Sequence, residues 1–155
     1  MTNNLETLRE LNNLKAKDIA AFLKVNKSIY SEWENNKTPI PTKRLIELAD
    51  FYHINIDYLL NLGVKKESIN LNTNINLLEI GKRIKEARKE LNLSLRELGD
   101  KLNCSFSSLA AYERGEKLIN SEILISLVKL SNYSTDYILN RKNIKYMIAS
   151  SKRHN

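Results

Sequence analysis

The chain has 155 residues, 42% hydrophobic and 28% charged. That is the make-up of an ordinary globular protein, and the length suits one domain or two small ones. No apolar run approaches the roughly 18 residues that cross a membrane. The opening MTNNLETLRE lacks the basic-then-apolar order of a signal peptide, and one cysteine cannot close an internal disulfide. A cytoplasmic protein with no membrane contact is therefore expected. The net charge of +7 is uneven: residues 1–63 are neutral and 76–140 carry +1, while Arg141, Lys142, Lys145, Lys152 and Arg153 give residues 141–155 +5. Such a basic end suits either a polyanion or a solvated tail.

In chain order, apolar residues at 5, 8 and 11 of LETLREL predict a first helix, broken at Asn12-Asn13. A second helix starts near Lys15 or Ala16 and buries Ile19, Ala20 and Leu23. Lys24-Val25 makes a turn, and Asn26 is a good cap for a third helix that runs to about Asn35. Asn35-Asn36-Lys37 tolerates the left-handed backbone that ends it. Thr38-Pro39-Ile40-Pro41 is a loop. A fourth helix spans Thr42 to about Tyr52 with Leu45, Leu48 and Ala49 inward, and a short fifth spans Ile56 to Asn61. Residues 63–77 are polar and Asn-rich and read as a flexible linker. The thirteen residues 64–76 could reach about 40 Å if extended.

The stretch LKAKDIAAFLKVNKSIYSEWE at 14–34 returns as LSLRELGDKLNCSFSSLAAYE at 93–113, so Leu14 meets Leu93 79 residues later without a gap. The second copy opens with a basic helix from Leu78 to Leu91. Ser94-Leu95-Arg96-Glu97 has the form of a capping box. Ser105 caps the next helix, Gly115 ends it, Ser121 caps a fourth with Leu124, Leu127 and Val128 inward, and Thr135–Asn140 is the fifth. Arg9 and Glu34 recur as Arg88 and Glu113, Trp33 as Tyr112, and Asp57-Tyr58 as Asp136-Tyr137. Cys104 stands where the first copy has Val25, which makes it a small buried hydrophobe. The expected domains are 5–62 and 78–140, followed by the basic tail 141–155. In that tail Ile144, Met147 and Ile148 have helical spacing, suited to packing on the domain or to a dimer seam.

Each copy resembles the lambda-repressor-like helix-turn-helix domain of the Cro/CI (XRE) family of bacterial and phage regulators. The resemblance is carried by LSLRELGDKLNCSFSSLAAYERG at 93–115 and by NIDYLL at 55–60, echoed by STDYIL at 134–139. It covers about residues 5–61 and 80–140, and the second copy matches more closely. It implies an all-α fold of two tandem five-helix domains, with the third helix of each in the DNA major groove. It also implies a structural ion pair between the first helix and the end of the third, which maps onto Arg9–Glu34 and Arg88–Glu113.

The residues themselves also point to DNA. A helix N-terminus suits a phosphate, and short outward side chains on the third helix let the backbone approach base edges. In the first copy those are Lys27, Ser28, Ser31 and Glu32: lysine can bond guanine, and glutamate can accept from a cytosine amino group. In the second copy they are Phe106, Ser107, Ala110 and Ala111, which suit thymine methyls but not bidentate bonds. Lys37, Lys43 and Arg44, with Arg114 and Lys117, are candidates for phosphate contact. The phage repressors carry glutamines at the start of the second helix and along the third. Here those places hold Ala16 and Leu95, then Lys27 and Phe106, so no base preference transfers.

The expected function is a sequence-specific double-stranded-DNA-binding transcriptional regulator, of the repressor kind. It would read an asymmetric pair of half-sites about 34 Å apart. Tethering lets two weak readers bind as one. The alternative is a protein-interaction or antitoxin-like module, and a second copy of the chain or a partner protein is a further candidate partner. No enzyme is expected. His53 and His154 are the only histidines, and neither stands in a metal- or triad-like neighbourhood. No cofactor, metal or catalytic residue is assigned.

Overall fold

The computed structural model describes residues 2–148, and among them ten helices form, with two isolated antiparallel bridges as the only extended pairing. They fall into two compact units, one built on the chain up to Leu71 and the other on Asn72–Met147. The first unit holds α1 (Leu5–Leu11), α2 (Ala16–Leu23), α3 (Lys27–Glu34), α4 (Thr42–Tyr52) and α5 (Ile56–Leu59). The second holds α6 (Leu77–Glu90), α7 (Leu95–Leu102), α8 (Phe106–Glu113), α9 (Ser121–Ser131) and α10 (Thr135–Ile138).

Local chemistry sets these boundaries. Asn26 Oδ1 accepts from the Ser28 amide at 2.8 Å, and Ser105 Oγ from the Ser108 amide at 3.2 Å. These bonds satisfy amides that the first helical turn leaves without a carbonyl. Ser94 and Glu97 close the expected capping box with bonds of 3.1 and 3.0 Å. The cap of α9 is Asn120 rather than Ser121, because Asn120 Oδ1 reaches the amides of both Glu122 and Ile123 while Ser121 is already helical and buried. α2 and α4 end on Lys24 and His53, and α7 and α9 on Asn103 and Asn132, all with left-handed backbone.

Both units pack the same way. In the first, Leu5, Leu8, Ile19, Leu23, Tyr30, Leu45, Leu48 and Ile56 are fully buried. Each such side chain contributes roughly 1.5–3 kcal/mol by leaving water. In the second, Ile84, Leu98, Leu109, Leu124, Leu127 and Ile138 serve alike. α6 is longer than α1 because two extra turns precede the part that corresponds to α1. Those turns lie against the end of α8: a Cβ on Gly81 would stand 2.4 Å from the Glu113 carbonyl oxygen. Asn4 Nδ2 donates to the Tyr58 carbonyl at 2.6 Å, and Arg83, its counterpart by the repeat, donates to the Tyr137 carbonyl at 2.6 Å.

Two segments depart from the sequence reading. Residues 64–69, expected in the flexible linker, strap onto the first unit. Buried Asn55 accepts from the Glu67 amide at 2.8 Å and donates to the Lys65 carbonyl at 3.2 Å, the Ile69 amide donates to the His53 carbonyl at 3.0 Å, and Val64 and Ile69 are buried. Thr73 in turn accepts from Arg141 at 2.8 Å within the second unit. The tail is likewise not helical over 141–148. It forms a second strap, in which Ser134 N–H donates to the Lys145 carbonyl at 2.6 Å and Met147 N–H to the Asn132 carbonyl at 2.9 Å. Ile144 and Ile148 stay exposed. In both cases a polar-looking segment is held by backbone bonds, which hydrophobic periodicity does not reveal. The rest of the tail, with Lys152, Arg153 and His154, lies outside the described residues.

Candidate nucleic-acid interface

In the first unit, α2, the turn at Lys24-Val25 and α3 form a helix-turn-helix. Tyr30 and Trp33 anchor α3 in the core, with ring centroids 6.3 Å apart. That leaves the opposite face of α3 to solvent. Lys27, Ser28 and Glu32 are exposed and Ser31 is half-buried, and together with Asn35 and Lys37 they line one open depression. Two ammonium groups, a carboxylate, two hydroxyls and an amide thus share one shallow surface. Asn35, absent from the sequence-based candidates, is exposed and gives one N–H to the Ser31 carbonyl at 2.8 Å. Lysine and glutamate are groups that can discriminate guanine from cytosine at a major-groove edge.

The second unit repeats the geometry with different chemistry. Phe106 and Ser107 are exposed and Ala111 is half-buried. Ala110 is not outward as expected: it is 7% exposed. A helix turns about 100° per residue, so position 110 stands about 100° round from Leu109, outside the arc that Leu109 and Tyr112 share; its short methyl is buried by surrounding chain and not by helical phase. The Phe106 ring is not bare. The Arg96 guanidinium carbon stands 5.0 Å from its centroid. No local pattern links residues 96 and 106; the repeat alone marks them, since their counterparts are Lys17 and Lys27.

Several proposed phosphate contacts are engaged within the protein. Arg44 donates to the Leu23 carbonyl at 2.9 Å and pairs with Glu47 at 3.0 Å, so it secures the end of α2 and is not a free cation. Arg114 pairs with Glu116 at 2.7 Å, both exposed. Lys117 lies over the Tyr112 ring at 5.2 Å. Lys37 and Lys43 are exposed. Cys104 is half-buried rather than buried, and desolvation raises its thiol pKa, so it is a weak nucleophile.

Each unit holds its third helix through one ion pair. Arg9 meets both Glu34 oxygens at 2.7 and 3.1 Å, and Arg88 meets both Glu113 oxygens at 2.6 and 2.9 Å. Each arginine also donates to the carbonyl before the second helix, Leu14 at 3.2 Å and Leu93 at 3.0 Å. One guanidinium therefore ties the first helix, the start of the second and the end of the third. Burial works against the Glu34 carboxylate, but the two hydrogen bonds from Arg9 help to outweigh it, and its pKa lies below the usual range. Tyr52 is pushed up to about 12, mainly by desolvation and then by the Glu34 charge.

Residues 5–59 and 84–138 each match the helix-turn-helix family, which together is well over half of the chain. The chain belongs to this family, of the Cro/CI (XRE) type. This helix-turn-helix chain is 36% identical over 67 residues to the HTH-type transcriptional regulator ImmR of Bacillus subtilis (strain 168), covering 43% of its own length and 53% of ImmR. It thus spans about half the length of the curated relative it matches. Among solved structures, it is similar to a SinR protein/SinI protein complex (32% identity, TM-score 0.37, 39% of this chain and 60% of that one). It is also similar to the P22 c2 repressor protein in complex with synthetic operator 9T (31% identity, TM-score 0.39, 45% of this chain and 100% of that one). The family is not an enzyme family. Among the described residues no helix is long and apolar enough to cross a membrane.

Proposed function

We propose that this chain is a sequence-specific double-stranded-DNA-binding transcriptional regulator of the repressor kind, working in the cytoplasm with α3 and α8 in the major groove. The observation that carries this reading is the outward face of α3. A helix held rigidly from behind by Tyr30, Trp33 and the Arg9–Glu34 pair presents lysine, serine, glutamate and asparagine to solvent on one open surface. Its family membership and the regulator named among its relatives support the same reading. Lys27, Ser28, Ser31, Glu32 and Lys37 are the proposed contacts of the first unit. Phe106, Ser107, Ala111 and Lys117 are those of the second. Because the two faces differ, the site they read is asymmetric.

The test is selection of the full chain from a random pool of duplexes at two salt concentrations. A long asymmetric motif whose affinity falls steeply with salt is the expected result, since each phosphate contact releases counterions. Lys27→Ala lowers affinity at one half of that motif. If Lys27→Ala binds every selected duplex as the wild type does, α3 is not the reading helix. If nothing is enriched and salt has no effect, the chain is a protein-interaction module instead.

A further inference from the structure

The two units put different chemistry at the same two places. In the first, Lys17 on α2 and Lys27 at the start of α3 are both exposed ammonium groups. In the second, Arg96 and Phe106 take those places, and the guanidinium lies 5.0 Å from the ring centroid. Phe106 begins α8 and is 45% exposed. Among the described residues no carboxylate pairs with Arg96; the ring is what it rests on. A cation over an aromatic face is held by the ring quadrupole, and one ring face is thereby occupied. Phe106 stays close to half exposed, beside a guanidinium whose donor fork suits a phosphate.

We propose that Arg96 and Phe106 act as one element that reads the 5-methyl group of a pyrimidine in the major groove. Phe106 contacts the methyl, and Arg96, positioned by the ring, clamps the adjacent phosphate. This rests on the DNA-binding reading above and assigns the second unit its specificity. The only apolar group on a major-groove base edge is the thymine methyl, and 5-methylcytosine carries the same methyl on the same ring carbon. A hydrocarbon ring has no donor or acceptor with which to separate the two. The element therefore distinguishes thymine and 5-methylcytosine from uracil and cytosine. The first unit, with two lysines at these positions, has no such preference. A protein partner for this face is disfavoured by the cation, which suits a polyanion flanking an apolar spot.

The experiment uses the full chain and the duplex that selection yields. Each thymine is replaced in turn by uracil, which removes only the methyl, and each cytosine by 5-methylcytosine. For the wild type, uracil at one or two positions weakens binding by about three- to fivefold, the value of one buried methyl. Phe106→Ala binds thymine and uracil duplexes alike at those positions. Arg96→Gln weakens binding to all duplexes and lowers the salt slope by about one, and it reduces the thymine-to-uracil ratio as well. Phe106→Leu keeps part of the methyl preference, but in that background Arg96→Gln no longer changes the ratio. Both side chains are exposed, and circular dichroism confirms that the variants fold. Wild-type binding indifferent to uracil everywhere, or a ratio that survives Phe106→Ala, overturns this proposal while the DNA-binding reading stands. Loss of all salt-sensitive DNA binding in the wild type removes both.

Discussion

Arg9 and Glu34 show how one residue pair sets both stability and the attitude of a reading helix. The Glu34 pKa is depressed in the folded state. Its contribution is therefore complete above the unfolded carboxylate value, about 4.3, and is lost as pH falls through the lower folded value. Urea unfolding of the first unit, followed by the fluorescence of Trp33 (the only tryptophan), should show stability that is level near neutrality and falls below about pH 4.3. Glu34→Gln should lower stability at pH 7 by roughly 1.5–3 kcal/mol, the range for a hydrogen bond to a charged group, and flatten the acid slope. A variant that keeps the full wild-type slope would show that other carboxylates govern it. Both pairs were legible through the family resemblance, which implies a pair between the first helix and the end of the third, and the arginine and glutamate recur at the repeat offset. The burial of Ala110 was not, since a step of about 100° per residue places it outside the buried arc and surrounding chain covers its methyl.

At the scale of elements, two glycines separate packing from propensity. Gly81 lies in the added turns of α6, where a Cβ would meet the Glu113 and Tyr112 carbonyl oxygens at 2.4 and 2.8 Å. Those are backbone atoms in the last turn of α8, so Gly81→Ala must move α6 away from α8. A loss of about 1–3 kcal/mol is expected in chemical denaturation, as for other overpacked sites. Gly99 in α7 would place a Cβ 2.7 Å from the Cys104 carbonyl. At the same place in α2, however, the first unit has Ala20, buried, with the same backbone bond from Val25. The turn can therefore open by the small amount required, and alanine favours helix by up to about 1 kcal/mol over glycine. Gly99→Ala should cost clearly less than Gly81→Ala. The reverse order would show that the two helix-turn-helix turns are not interchangeable.

For the molecule as a whole, the repeating unit is larger than the five helices that the sequence suggested, because each unit is closed by a C-terminal strap. In the second unit the strap brings in Arg141, which pairs with Asp136 at 3.0 Å with neither side chain exposed. It also brings Tyr146 onto Glu90, which accepts from the Tyr133 hydroxyl too, and Lys145 onto Glu86 at 2.6 Å. Removing one partner of a buried ion pair leaves the other charge uncompensated. Arg141→Met should therefore lower the stability of the second unit by about 3–5 kcal/mol. Adding Asp136→Asn should restore part of the loss. Thermal unfolding followed by circular dichroism measures both, and no recovery in the double variant would mean that Arg141 acts through its other contacts instead.

The all-helical class, the duplication, most helix boundaries and the outward placement of Lys27, Glu32 and Phe106 were determined by the sequence alone. They follow from local rules: apolar residues three and four apart, Asn and Ser at caps, Asn and Gly where the backbone turns left-handed. The strapped segments, the capture of Arg44 by the end of α2, and the seating of Arg96 on Phe106 were decided only by the tertiary structure. Each depends on a backbone carbonyl, a ring face or a buried polar group brought close by chain that is distant in sequence, and no periodicity within one segment encodes where such a partner will be.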